Sequence, residues 1–313
     1  MDKVAERIAQ ASSVALFTHI RPDGDALGSV LALQAALKSI GKSVTVYCDS
    51  PVPARLAFLS GADQILSQGT PIADLFVALD CGDADRLGCF SPVFLKKRNT
   101  CNVDHHLSNT RFAACNYVKG TSSTCELVLQ CLRALKIELT EEIATLLYVG
   151  LSTDTGNFSH SNTTAETFAC AATLAACGVK IDELNRRLYK ENPYRRLKLL
   201  GKVLSGMRSY EEGKIIVLTI TSQDLASVGC SLDQTEAFVD YAISVDTAEV
   251  GIAVCEQKPN TYKVSMRSRG KADVCRACGT FGGGGHRLAS GCTVCGFFED
   301  VVEKVVKSAR DEL

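Results

Sequence analysis

Four short strings concentrate the residues that could do chemistry. They are His19-Ile20-Arg21-Pro22-Asp23-Gly24-Asp25, Asp80-Cys81-Gly82-Asp83, Asp104-His105-His106 and Thr153-Asp154-Thr155-Gly156. The chain has five histidines, and three of them fall inside these strings. Taken alone, an aspartate such as Asp80 reads as a turn residue or a helix cap. Taken together, the strings ask for counter-ions. Two unit charges about 4 Å apart repel by about 4 kcal/mol at an effective dielectric of about 20, and several such pairs would exceed much of a domain's stability. Carboxylates with some imidazole and no thiolate suit Mn²⁺ or Mg²⁺. The charges of Asp23, Asp25, Asp80 and Asp154 match those of two divalent ions, with a carboxylate bridging them and a bridging water as nucleophile. Paired ions about 3.5–4 Å apart orient a phosphoester, stabilise its oxygens and acidify bound water.

A second constellation lies near the C-terminus, in Phe281-Gly282-Gly283-Gly284-Gly285-His286. A glycine run alone is a flexible turn. Here Arg267 ends an apolar stretch just upstream, and His286 closes the run. Gly283, Gly284 and Gly285 can present backbone N–H groups to an anion, and an arginine fork can hold phosphate with two bonds.

The elements that must position these groups follow from the apolar pattern. Residues 14–18, 44–48, 75–79 and 100–103 read as buried strands, and the polar strings begin where three of them end. Residues 25–40 have helical spacing and stop at Gly41. Helices are predicted over 123–135, opened by a Ser123/Glu126 capping box, and over 141–152, 165–177 and 182–189. Strands are predicted over 215–220, 250–255, 262–266 and 292–297. Strands alternating with helices predict an α/β fold: a parallel-sheet N-terminal domain with helices on both faces, and a smaller mixed α/β C-terminal domain, to which the family resemblance given below assigns substrate binding. Ligands of such parallel sheets sit beyond the carboxyl ends of the strands. The expected divisions are 1–188, a basic helical linker at 189–209, and 210–313, with the active site in the cleft between the domains.

Asp104-His105-His106 is the name-giving triplet of the DHH phosphoesterases, a superfamily that includes RecJ-like exonucleases and manganese-dependent family II pyrophosphatases. The longer strings, residues 19–29 and 104–109, resemble the stand-alone nanoRNase/pAp phosphatases of bacteria. The stretch through Val264, Arg267, 282–286 and Ala289-Ser290-Gly291 resembles the DHH-associated C-terminal domain. The resemblance implies that His19 and Asp23 hold a first metal and Asp25 a second, that Asp80 bridges them, and that His105 and Asp154 complete the second site. It implies two divalent ions, Mn²⁺ first and Mg²⁺ as the alternative. His106 would face the substrate phosphate as a donor, and Asp104 would orient an imidazole or backbone group. Arg267 and His286 would grip a terminal phosphate, with the glycine backbone facing the nucleotide. The implied reaction is phosphoester hydrolysis in RNA of a few nucleotides and in pAp (3′-phosphoadenosine 5′-phosphate). The rival substrates are cyclic dinucleotides and their linear products, such as c-di-AMP and pApA. A family II pyrophosphatase fits the glycine loop less well. A rival of another class is a nucleotide-binding regulator without catalysis, against which the complete metal set argues.

Composition bounds the rest. A formal net charge of -1 disfavours long nucleic acid as partner. No apolar run approaches a membrane span, and a cytoplasmic protein is expected; a homodimer is compatible with the sequence. The 15 cysteines read as reduced, buried thiols. Cys275/Cys278 and Cys292/Cys295 look like a zinc ribbon, but the first pair shares a helical face and the second pair, in a strand, points to opposite faces. The basic residues Arg186, Arg187, Lys190, Arg195, Arg196, Lys198 and Lys202 read first as a solvated face and second as a backbone-tracking strip. His160 is a candidate support for the Asp154 string.

Overall fold

A computed structural model describes residues 1–313. By its internal contacts the chain divides into two compact units, Met1–Glu191 and Asn192–Leu313. No helix is long and apolar enough to cross a membrane.

The first unit runs α1 (Asp2–Gln10), β1 (Ser13–Phe17), α2 (Gly24–Ser39), β2 (Ser43–Tyr47), β3 (Leu75–Leu79), α3 (Ser91–Lys96), β4 (Thr100–Asp104), β5 (Cys115–Val118), α4 (Thr124–Ala134), α5 (Glu141–Asp154), α6 (Ala165–Ala175) and α7 (Ile181–Asn185). The five strands form one parallel sheet in the order β2-β1-β3-β4-β5. The alternation of a strand sorts its two faces. Val14, Leu16, Val46, Leu75, Val77 and Leu79 enter one core with residues of α2, α4 and α5. Ala15, Phe17, Tyr47, Phe76 and Ala78 enter the other with Phe90 and Phe94. Phe17 and Phe94 meet edge to face with ring centres 5.5 Å apart, a favoured aromatic geometry. The helices on both faces and the parallel sheet agree with the sequence pattern.

The strand order reverses between β1 and β3, the place where open parallel sheets leave a crevice at their carboxyl ends. Register aligns Phe17 with Ala78 and Leu79 with Val103. His19, Asp80 and Asp104 therefore leave the sheet at one edge.

The second unit runs α8 (Tyr194–Ser205), β6 (Arg208–Tyr210), β7 (Ile215–Ile220), α9 (Ser222–Val228), α10 (Phe238–Ile243), β8 (Val250–Lys258), β9 (Thr261–Ser268), α11 (Val274–Gly279), β10 (Gly284–His286), β11 (Ala289–Cys295) and α12 (Phe298–Arg310). Its sheet has the order β10-β11-β9-β8-β7-β6, with β7 and β8 parallel and the other pairs antiparallel. One face buries Val264, Met266 and the valines of α12. The other buries Ile216, Leu218 and Phe238 with Leu199, Leu200 and Val203 of α8.

Several bounds differ from expectation. The helix expected over 182–189 is α-helical only to Asn185 and continues as a π turn over Arg186–Lys190. The strand expected over 292–297 starts earlier, at Ala289, because Gly291 and Ser290 are held by pairing to Ser265 and Met266 rather than by apolar side chains. The capping box is half made. Ser123 caps the Glu126 N–H, but the Glu126 carboxylate turns to the Ser122 hydroxyl.

Candidate metal centre and phosphate-binding row

Each acidic or imidazole group of the first unit is aimed by local structure. Asp23 is the N-cap of α2, its Oδ1 accepting the Asp25 and Ala26 N–H groups at 3.1 and 3.0 Å. Asp25, buried on the first turn of α2, reaches across to α4. It accepts from the Thr124 N–H at 2.5 Å and the Cys125 N–H at 2.9 Å. A helix N-terminus favours negative charge there. Asp80 follows β3 in the left-handed region, with φ of 57°, and the Thr124 hydroxyl donates to its Oδ1 at 2.9 Å. Asp154 ends α5.

The imidazoles are oriented by what their second nitrogens meet. His19 Nδ1 lies 2.8 Å from the Ile20 carbonyl and His105 Nδ1 3.1 Å from the Thr121 carbonyl. A carbonyl can only accept, so both rings carry a proton on Nδ1 and turn Nε2 inward. His19 Nε2 is 3.4 Å from Asp80 and 4.0 Å from Asp23. His105 Nε2 is 3.7 Å from Asp80 and 3.6 Å from Asp154. His106 differs: its Nδ1 is 2.7 Å from Asp104 Oδ1.

Three overlapping donor groups result: His19, Asp23 and Asp80; Asp25, His105 and Asp154; and Asp80, His105 and His106. Within each, the donor atoms lie within 4.8 Å of one another, and Asp80 belongs to two of the three. Asp104 stands in none of these groups; its carboxylate is wholly buried behind His106. His160 Nδ1 lies 3.4 Å from the Asp154 carbonyl, not its carboxylate.

The cluster is short of positive charge. Burial and the charges of Asp80 and Asp154 push the Asp25 carboxyl well above the usual range, against the pull of His105. Burial and the same repulsion push Asp154 up to about 6. Burial opposes charge on His105, but Asp25, Asp80 and Asp154 outweigh it and raise it to about 9. Burial likewise opposes the charged form of Asp80, but the surrounding imidazoles hold it down to about 2. Carboxylates held in such a group, with Nε2 of two imidazoles turned inward to give up its proton to an entering ion, fit hard divalent cations.

Close helix packing makes the cluster compact. A Cβ on Gly150 of α5 would lie 2.2 Å from Cys125 Sγ and 2.8 Å from Asp25 Oδ1, and one on Gly28 of α2 would lie 2.5 Å from the Leu146 carbonyl.

In the second unit, cross-strand register places Arg267 opposite Ala289, and Ala289 opposite His286. Paired residues share a face, so Arg267 and His286 project together across one small side chain. Gly251 flanks Arg267 on its other side. The guanidinium donates to the Met266 carbonyl at 3.2 Å and meets Asp240 at 3.3 Å. Gly283 leaves no room for a side chain, its Cβ position lying 2.4 Å from the Gly291 carbonyl, whereas Gly284 is open.

The four motif cysteines do not converge. Cys275 Sγ donates to the Gly285 carbonyl at 3.2 Å, Cys295 is exposed, and Cys278 and Cys292 are buried against each other. Most of the basic run is engaged within the chain. Arg186 pairs with Glu191, Arg187 with Glu183, Lys202 with Asp224, and Arg196 stacks on Phe238.

Sequence reasoning missed Thr124, Asn102 and Asn109. Thr124 was hidden inside a helix-start signal, and the two asparagines act only through groups brought to them by the sheet.

Comparison with known proteins agrees with this geometry. Residues 13–151 match the model of the DHH family, N-terminal domain. The chain is 33% identical to the bifunctional oligoribonuclease and PAP phosphatase NrnA of Thermus thermophilus, over 100% of this chain and 94% of the relative. It is 28% identical to the protein of that name from Mycoplasma genitalium, over 96% and 95%. The crystal structure of an exopolyphosphatase-related protein from Bacteroides fragilis superposes with a TM-score of 0.92 at 27% identity, covering 99% of this chain and 95% of that one. With a full-length relative at that identity and the acidic and imidazole strings gathered at the carboxyl edge of a parallel sheet, the chain belongs to the DHH family.

Proposed function

We propose that this protein hydrolyses phosphoester bonds in RNA of a few nucleotides and in pAp. The observation that carries the reading is that Asp80 sits in the His19/Asp23 donor group and also lies 3.7 Å from His105, a member of the Asp25/Asp154 group, at one edge of the sheet. The full-length relatives named for oligoribonuclease and PAP phosphatase activity support the choice of substrate.

On this reading His19, Asp23 and Asp80 would hold one divalent cation, and Asp25, His105 and Asp154, with Asp80 beside them, would hold a second, Mn²⁺ or Mg²⁺. Such cations neutralise phosphoryl charge and acidify water. The chain's own residues do the rest. Asp80 spans the two groups, held by the Thr124 hydroxyl. Asp25 is clamped by backbone donors and cannot swing away. His106, anchored through Nδ1 to Asp104, would donate from Nε2 to a phosphoryl oxygen as the doubly protonated imidazolium. In the second unit Arg267 and His286 hold a terminal phosphate, with Gly284 leaving the backbone approachable. A charged hydrogen bond of the arginine kind contributes roughly 1.5–3 kcal/mol.

The test is purified protein with Mn²⁺ against pAp, 5′-labelled RNA of two to 24 nucleotides, pApA, c-di-AMP and pyrophosphate. Turnover of pAp and of the shortest RNAs is expected to lead. Preference for c-di-AMP or pyrophosphate would overturn the substrate, and tight nucleotide binding without turnover would overturn the enzyme.

A further inference from the structure

Behind His106 lies the half-buried amide of Asn109. Asn109 Nδ2 is 2.6 Å from Asp104 Oδ2, 2.7 Å from Asn102 Oδ1 and 3.0 Å from the Cys81 carbonyl. Its Oδ1 accepts from the Arg111 N–H at 2.6 Å. Every neighbour on the nitrogen side is an acceptor, and the neighbour on the oxygen side is a donor. The two N–H protons are divided among three acceptors, so one is shared, and the flipped amide would set oxygen against acceptors and nitrogen against a donor. Asp104, with no exposed surface, divides its carboxylate between Asn109 on Oδ2 and His106 Nδ1 on Oδ1, at 2.6 and 2.7 Å. Asn102, also fully buried, donates to the Ala78 and Cys81 carbonyls. A continuous run of hydrogen bonds thus leads from the end of β3, beside Asp80, through Asn102, Asn109 and Asp104 to the His106 ring.

A carboxylate bonded on one oxygen only can rotate about its Cβ–Cγ bond and carry the imidazole with it. Bonded on both, it has one orientation. We infer that Asn109 is a positioning residue for His106: it fixes the Asp104 carboxylate plane and through it the direction of His106 Nε2. An aspartate at 109 would be isosteric but would turn an acceptor on Asp104, so the donor character of the amide is what the site requires. The inference rests on the reading of His106 as the group facing the phosphate.

The experiment compares wild type, Asn109→Ala, Asn109→Asp, His106→Ala and the Asn109→Ala/His106→Ala double variant. Turnover is measured on pAp and a dinucleotide at saturating Mn²⁺. The imidazole ¹H–¹⁵N resonances are recorded on the metal-free proteins. Asn109→Ala is expected to lower kcat about 10- to 100-fold, the range for loss of a supporting hydrogen bond or a misplacement near 1 Å. KM should stay within about two-fold, because binding is left intact. Asn109→Asp should be no faster than Asn109→Ala. The double variant should be no slower than His106→Ala, since the two act as a unit. The His106 Nδ1 resonance should shift or broaden while those of His19 and His105 hold. Unchanged kcat in Asn109→Ala, additive losses in the double variant, or all three histidines moving together would overturn the inference. A wild type without turnover would instead defeat the proposed function, and the resonances would still judge Asn109.

Discussion

The hydroxyl of Thr124 lies 2.9 Å from Asp80 Oδ1, and the backbone N–H of the same residue lies 2.5 Å from Asp25 Oδ2. One residue at the start of α4 thus grips two carboxylates that come from the ends of different elements. Thr124→Val keeps the shape and the backbone donor and removes the hydroxyl. It should destabilise the protein by about 1–3 kcal/mol, the cost of leaving a buried acceptor unpaired, and lower kcat with Mn²⁺. Denaturant unfolding and turnover measured together check both. An unchanged midpoint would show the bond to be idle.

Asp80→Ala should abolish turnover and leave the fold intact, because Asp80 is the carboxylate that faces both His19 and His105. Circular dichroism and an assay at high Mn²⁺ decide it. Near wild-type rates would reject the two-metal reading.

The metal-free site has a predictable pH response. His105 is raised from 6.5 to about 9 and Asp154 from 3.8 to about 6. Both shifts mean that the folded state binds more protons than the unfolded state, so stability falls as pH rises. The His105 contribution is full below about pH 6.5 and is lost as pH rises through about 9. The Asp154 penalty is absent below about pH 4 and complete above about 6. Chelator-treated protein should therefore lose Tm between pH 6.5 and 9. Metal uptake at pH 7 should release protons, because His105 must deprotonate. Calorimetry in two buffers of different ionisation enthalpy measures that release, and identical heats would contradict it.

Gly150→Ala places a methyl 2.2 Å from Cys125 Sγ and 3.0 Å from Asp25 Cα. Overpacking of this kind costs about 1–3 kcal/mol, and here it also pushes on Asp25. Reduced metal affinity should accompany the lower midpoint in Gly150→Ala, whereas Gly201→Ala, whose Cβ position meets nothing within 4 Å, should be neutral for metal.

Arg267→Ala should lower kcat/KM on dinucleotides by about 1.5–3 kcal/mol of transition-state stabilisation, or about 10- to 150-fold, and leave metal binding unchanged. Efficiency should fall with RNA length, since a chain of net charge -1 offers few spread phosphate contacts. Equal efficiency on dimer and 24-mer, or an unaffected Arg267→Ala, would contradict it.

The parallel sheet and its helices were legible because apolar runs at 14–18, 75–79 and 100–103 end abruptly in acidic or histidine strings. Those strings named the donor groups before any geometry was known. Other parts left little trace. β5 and β10 are short and either half-buried or exposed, so neither alternation nor apolar content marks them. The π turn over Arg186–Lys190 keeps helical composition while changing its hydrogen-bond period. Gly28 and Gly150 look like weak points in helices until α2 and α5 are seen to touch through them. Ser123 reads as a cap, and the N–H and hydroxyl of the next residue, Thr124, turn out to face Asp25 and Asp80. The row of Arg267, Ala289 and His286 depends on strand register, which residue types alone do not set.

Asp80 holds a backbone conformation, φ of 57°, that an L-residue other than glycine adopts at a cost of about 1–2 kcal/mol. Glycine at 80 would relieve that strain and remove a buried charge from beside other charges. A procedure that ranks substitutions by folding stability would therefore select this position early, and would erase a residue of two of the three donor groups. On the proposed function, the strained acid of the sheet edge is where stability and activity pull in opposite directions, and redesign of this chain for thermal robustness would hold position 80 fixed.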